Sequence, residues 1–217
     1  TSIGWYRKTF KLAKSDEGKR LSIEFEGIFR DSIIWLNGHF LGRHMSGYTS
    51  LRYDISDYVN YGDKNVLVVR VDASQFEGWF YEGAGIYRHV WLVKTDPLHI
   101  AHWGIFVTSE VNHNSAKVII KTKIGNEYDE ATQCQVISTI VDADEKAIGK
   151  AQSTETVRAW ENKEFIQQVT VKNPRLWSIE SPYLYRLVTM VKKGDTAVDL
   201  YETPFGIRTI RFDAHKG

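Results

Sequence analysis

The sequence predicts an all-β protein of two domains that join near residue 96, and three observations carry that expectation. Apolar and polar residues alternate through most of the chain, as in Val118, Ile120, Thr122 and Ile124 against Lys117, Lys121 and Lys123, the pattern of sheets with one buried and one wet face. Helical periodicity is nearly absent. Asp96-Pro97 separates two blocks of different rhythm, because proline cannot donate to a ladder and holds its predecessor extended.

In the first block, residues 1–95, the stretch 5–12 alternates apolar and basic residues. The stretch 21–28 sets Leu21, Ile23 and Phe25 against Ser22, Glu24 and Glu26. Both read as half-buried strands across the turn-rich stretch 14–19. Residues 32–36 form a further strand, and Asn37-Gly38 after them is the strongest short hairpin signal, since both central residues of a type I′ turn need positive φ. Residues 39–42 return as its partner. Residues 54–58 suit one short helical turn, and 66–71 make a strongly β-branched strand. Residues 86–93 alternate and read as a core strand of this domain.

The second block, residues 96–213, offers seven strands: 98–111, 116–124, 132–141, 147–157, 164–171, 183–191 and 196–210. Turns separate them at Asn112-His113-Asn114, Gly125-Asn126, Asp142-Ala143-Asp144, Asn162 and Lys193-Gly194-Asp195. Seven short strands with regular turns predict an immunoglobulin-like β-sandwich.

Composition narrows the function classes. The 217 residues are 42% hydrophobic, enough for real cores, and the net charge of +1 gives no general pull towards nucleic acid or an anionic membrane. No run of 18 apolar residues exists to form a spanning helix, so neither nucleic acid nor membrane is an expected partner. Cys134 is the single cysteine, which excludes an intrachain disulfide and a thiolate metal cluster. It leaves the compartment open between periplasm and cytoplasm. The chain starts on strand-like residues without Met or a signal and ends on a charged tail, 213–217, as a fragment would.

Catalytic sets are hard to find. There is no G-x-S-x-G, no G-x-G-x-x-G opening a helix, no phosphate loop and no H-E-x-x-H. His99 and His102 are close in sequence, but alternation puts positions three apart on opposite faces, so no metal is expected there. Glu24 and Glu26 share a strand face and read as solvated rather than as an acid pair, which would need a deep site to raise one pKa. Cys134 sits mid-strand and reads as a small buried residue.

What remains is aromatic loops. Trp79, Phe80, Tyr81 and Tyr87 lie in a glycine-rich stretch with Glu82, Gly83 and Gly85, and His44, Met45, Gly47 and Tyr48 lie in another. Glycine-rich, aromatic segments feeding a strand suit a ligand surface. The same composition suits a packed turn or a domain seam, and the residues alone leave these open.

The order of several segments resembles family 2 of the glycoside hydrolases. They are Trp5-Tyr6-Arg7-Lys8-Thr9-Phe10, Phe25-Glu26-Gly27, Trp35-Leu36-Asn37-Gly38-His39-Phe40-Leu41-Gly42-Arg43-His44 with Gly47-Tyr48-Thr49, residues 65–72, and Gly83-Ala84-Gly85-Ile86-Tyr87-Arg88. Asn173-Pro174-Arg175-Leu176-Trp177-Ser178 with Pro182-Tyr183-Leu184-Tyr185 is similar to the family's second domain, and Phe205-Gly206-Ile207-Arg208 through Asp213 to the segment that leads into its third. The resemblance implies a jelly-roll, galactose-binding-like β-sandwich over 1–95, incomplete at its start, then an immunoglobulin-like sandwich over 96–213. Residues 214–217 would begin a linker to an absent catalytic (β/α)₈ barrel.

In such enzymes the barrel carries two glutamates that act with retention, so the resemblance places no catalytic residue in this chain. No cofactor and no metal are expected from the residues present. The expected partners are a β-galactoside, reached through the full-length enzyme, and the missing barrel. The family's jelly roll has strands upstream of Trp5, and a sheet lacking them exposes an edge. The expected consequences are a homo-oligomer joined through that edge, an incomplete or rearranged first domain, or a trimmed chain. Glu82 to Arg88 is closer to β-galactosidases than to β-glucuronidases or β-mannosidases. In some of those enzymes a loop near this segment reaches the sugar, so Trp79, Tyr81 and Glu82 become candidates for the substrate rim. Arg88, Asn37 and Gly38 are expected to be structural, Arg88 by pinning the loop through a carboxylate or carbonyls. The alternative is a stand-alone carbohydrate-binding module, or a structural domain pair with no activity.

Overall fold

The structure, a computed structural model, describes residues 2–75, 83–210 and 212–215. It divides into two compact units, Thr1–Thr95 and Asp96–Gly217, each built from strands.

The first unit contains β1 (Ile3–Lys11), β2 (Arg20–Phe25), β3 (Ile28–Phe29), β4 (Ser32–Leu36), β5 (His39–His44), β6 (Leu51–Asp54), β7 (Lys64–Asp72), β8 (Gly85–Ile86) and β9 (Val90–Thr95). One sheet runs β1-β7-β4-β5, a second runs β6-β2-β9, and β3 with β8 makes a small ladder. The two larger sheets close on one core as a jelly-roll sandwich: Leu21, Ile23 and Phe25 from β2 meet Ile34, Leu36, Leu67, Val69 and Val71. Central β7 shows why this sequence is a strand. Asn65, Leu67, Val69 and Val71 are buried while the residues between them are not, and alternation of this kind fixes register, since a one-residue slip would turn every apolar group to water.

The expectation of a single core strand over 86–93 is corrected. The ladder breaks at 87–89, where Tyr87 packs its ring over Gly27 and His89 O accepts from Glu26 N. β8 then pairs with β3, and β9 with β2 alone. With one neighbour among the described strands, β9 is an edge, and Val90, Trp91 and Leu92 are 40%, 50% and 38% exposed. Its free side and that of β1 flank an apolar groove of about 460 Å³, lined by Tyr6, Phe10, Ile23, Val69, Ile86 and Leu92. Residues 54–58 form a hydrogen-bonded turn, Tyr58 N to Ile55 O at 3.0 Å, without a helix. β6 was not expected; at four residues it is too short for alternation to show.

The second unit contains β10 (Leu98–Asn112), β11 (Ser115–Asn126), β12 (Thr132–Val141), β13 (Ala147–Val157), β14 (Glu161–Lys172), β15 (Tyr185–Lys193) and β16 (Thr196–Phe205). Sheets β10-β11-β14 and β13-β12-β15-β16 form the seven-stranded immunoglobulin-like sandwich. Its core has two apolar clusters, one around Val118, Ile120, Ile140, Val169 and Leu187, the other around Ile124, Val136, Phe165 and Val191. Between them β11, β12, β14 and β15 each place one buried polar residue, Thr122, Ser138, Gln167 and Thr189. Gln167 ties the sheets together, donating Nε2 to Val136 O at 3.0 Å and Ser153 Oγ at 2.8 Å. The last strand ends at Phe205 rather than 210. Gly206 lies against Trp177, and Ile207 O accepts Trp177 N, so the chain leaves the ladder there.

Candidate functional site

The rim candidates Trp79, Tyr81 and Glu82 lie outside the described residues. The structure does describe both roots of the 76–82 segment, and they form a dense polar and aromatic collar.

At the first root, the end of β7, Asp72 N donates to Arg30 O at 3.1 Å and Asp31 O at 3.2 Å. The Asp72 carboxylate accepts from Ser74 N, Ser74 Oγ and Arg70 Nη2. Those Ser74 donors, and then Arg70, hold its pKa below the usual carboxylate range. Asp31 takes both arms of Arg43, at 2.6 and 2.8 Å, which lowers its pKa and raises that of Arg43. Arg30 Nη2 donates to Gln75 Oε1 at 3.0 Å, so the root is held through side chains as well as backbone.

At the second root, Gly85 has φ of 100° and sits so close to Tyr6 that a Cβ there would meet its hydroxyl oxygen. Only glycine meets both conditions. Tyr87 crosses Gly27 and donates its hydroxyl to Gly47 O at 2.8 Å. Gly47 in turn packs on the Phe29 ring, which meets Tyr48 edge-on at 5.7 Å. The two loops flagged for their aromatic and glycine content thus pack on one another.

The centre of this root is Glu26. One carboxylate oxygen accepts from Trp91 Nε1 at 2.8 Å, and the other lies 3.1 Å from His89 Nδ1 and 3.4 Å from Arg88 Nε. The hydrogen bonds from Trp91 and His89, and then the nearby charges, bring its pKa down to about 2. The expectation of a solvated Glu26 is therefore corrected: alternation in β2 ends at Phe25, and the next residue turns to three donors arriving from 88–91. Arg88 sits at this carboxylate. Asn37 and Gly38 take φ of 51° and 86° in the β4–β5 turn. The Asn37 amide also donates to Tyr58 O and Asn65 Oδ1 and accepts Val66 N, a network not foreseen from the Asn-Gly signal.

Chemically the collar presents ionised carboxylates held by neighbouring donors. Each described carboxylate with a resolved shift, Asp16, Glu26, Asp31 and Asp72, is shifted downwards, whereas a general acid needs its pKa raised. His99 is buried with Nδ1 2.9 Å from Asp96 O. The ladder slips between Ile100 and Ile105, so simple alternation does not relate His99 to His102. Among the described residues no three His, Cys, Asp or Glu side chains gather around a metal position. Cys134 is buried, and burial pushes its thiol up to about 12.

Residues 1–96 match the sequence model of the glycosyl hydrolases family 2 sugar binding domain, and residues 98–208 match that of glycosyl hydrolases family 2. A β-galactosidase of Bacteroides ovatus is 44% identical over 99% of this chain, which covers 26% of that protein. A β-glucuronidase of Formosa agariphila is 30% identical over 98% of the chain and is covered to 24%. The chain therefore spans about a quarter of the length of these relatives. Among solved structures, a glycosyl hydrolase family 2 member from Bacteroides cellulosilyticus superposes with a TM-score of 0.96 at 34% identity, covering all of this chain and 30% of that one.

Proposed function

The chain belongs to family 2 of the glycosyl hydrolases, and from that premise we propose that it is the non-catalytic front of a longer β-galactosidase that hydrolyses terminal β-galactosides. The observation that carries this is the 44% identity to a β-galactosidase along 99% of the chain. The downward-shifted carboxylates of the collar fit the same reading. A retaining glycosidase needs one carboxyl protonated and one ionised, about 5 Å apart across the sugar. Carboxylates like Glu26, with a pKa of about 2, supply no proton at neutral pH. The catalytic pair belongs to a barrel domain, and the collar's task is to hold the 76–82 segment against that barrel's mouth. Trp79, Tyr81 and Glu82 would then form part of the substrate rim, with Arg88 and Glu26 pinning the root behind them.

The test compares this chain with the longer protein on nitrophenyl β-galactoside and nitrophenyl β-glucuronide. We expect no turnover by the chain, and turnover of the galactoside by the longer protein. Hydrolysis by the chain alone overturns the non-catalytic reading, and preference for the glucuronide overturns the galactosidase reading. In the longer protein, Trp79→Ala and Glu82→Gln are expected to raise KM; unchanged kinetics remove both from the rim.

A further inference from the structure

The outer face of sheet β1-β7-β4-β5 carries aromatic side chains that the first core does not use. Trp5 stacks on Trp35 with ring centres 5.8 Å apart and planes 19° from parallel. Phe40 meets Trp35 edge-on at 6.3 Å. The register explains the grouping. Trp35 stands opposite Phe40 on β5 and opposite Val68 on β7, while Trp5 faces Arg70 one row along. Inward-facing neighbours Ile34, Leu36, Val69 and Val71 are buried, so these rings project from the other side of the same strands. Trp5 is 64% and Phe40 60% exposed. Flat apolar rings left in water at this density mark a contact surface.

Charge then selects the partner. Arg70 is paired with Asp72 and Arg43 with Asp31. Arg7 lies in the row of Val68 and Trp35 and has no carboxylate partner among the described residues. A guanidinium beside an indole platform offers planar donors for an oxyanion, and the rings offer a face for the C–H side of a pyranose.

We propose that this face binds a saccharide chain bearing carboxylate or sulfate groups, with Trp5, Trp35 and Phe40 stacking on sugar rings and Arg7 taking the oxyanion. The proposal rests on the family reading for the expectation that the ligand is a sugar. It concerns binding by this chain alone, so its failure leaves the cleavage test untouched, and a failed cleavage test leaves this one standing.

The experiment is affinity electrophoresis of the purified chain through gels holding polygalacturonate, chondroitin sulfate or neutral galactan, with a thymidine oligonucleotide as a separate arm. We expect retardation by the acidic polymers above that by galactan, and the two acidic arms tell carboxylate from sulfate. Trp5→Ala should weaken retardation roughly tenfold, the scale of one lost stacking contact. Arg7→Gln should abolish the preference for acidic over neutral polymer. Trp103→Ala, at a 76% exposed ring of the second unit, should change nothing. Thermal melts check that Trp5→Ala remains folded, and Phe40→Ala serves as the second variant if it does not. Absence of retardation, equal loss in Trp103→Ala, or loss with salt alone while Trp5→Ala binds normally overturns the proposal. So does Trp5-dependent binding of the oligonucleotide, or a Trp5-dependent dimer in its place.

Discussion

Gly27→Ala tests how the collar is locked. Gly27 holds no positive φ, so its backbone accepts alanine, and the added methyl meets a single obstacle. An ideal Cβ would stand 2.6 Å from Tyr87 Cζ and Oη and 2.9 Å from Cε1. Normal carbon contacts are about 3.5–4.0 Å, so the Tyr87 ring must retreat by roughly 1 Å. That retreat breaks its 2.8 Å hydrogen bond to Gly47 O. Overpacking of this kind costs about 1–3 kcal/mol, near the low end here because Tyr87 is half exposed and can move. The hydrogen bond adds about 1 kcal/mol net. Together the expected loss is about 2 kcal/mol. For a unit of 95 residues, each kcal/mol moves Tm by about 4–8 °C, so the first calorimetric transition should fall by roughly 10 °C. A double-mutant cycle isolates the cause. In a Tyr87→Ala background the methyl meets open space, and Gly27→Ala should cost close to nothing. An equal cost in both backgrounds refutes the account.

Three further outcomes follow from the same structure. The Glu26 pKa is lowered from the ordinary 4.5 to about 2, so its stabilisation is complete above pH 4.5 and fades as pH falls through 2. The gap in urea midpoint between the parent and Glu26→Gln should therefore shrink over that window, and a pH-independent gap contradicts it. Buried Asn65 accepts from Asn37 Nδ2 and Asn60 N and donates to Asn60 O. Asn65→Leu strands these groups and should cost about 3 kcal/mol by urea titration; a loss below about 1 kcal/mol means that the network relaxes freely. Cys134, buried with its thiol pushed up to about 12, should resist a disulfide reagent in the native chain and react in denaturant. Rapid native reaction would show that the second core opens.

Legibility varied with how far apart the interacting residues stand in the chain. The seven strands of the second unit were readable because each carries its own alternation, as β14 does with Phe165, Gln167, Val169 and Val171 buried and their neighbours outward. The Asn37-Gly38 turn was readable because positive φ is a property of those residues themselves. The break at 87–89 was not. It arises from Tyr87 reaching Gly27 and Gly47, which lie 60 and 40 positions away, and no window along the strand contains them. Glu26 departs from its pattern for the same reason: in sequence it extends the polar alternation of β2 by one residue, and its donors come from 88–91.

By itself the sequence determined that the chain is all-β, that it divides near Asp96-Pro97, and that its segments follow the order of a glycoside hydrolase family. Alternation, turn chemistry and proline are local, and local patterns survive in a one-dimensional string. Only the tertiary structure decided that β9 is an exposed edge, that Glu26 is an ionised anchor held by Trp91, His89 and Arg88, and that Trp5, Trp35 and Phe40 gather on one face. Those facts depend on which strands become neighbours. Neighbours are chosen by the burial of both sheets on a common core, a free energy that no single segment holds.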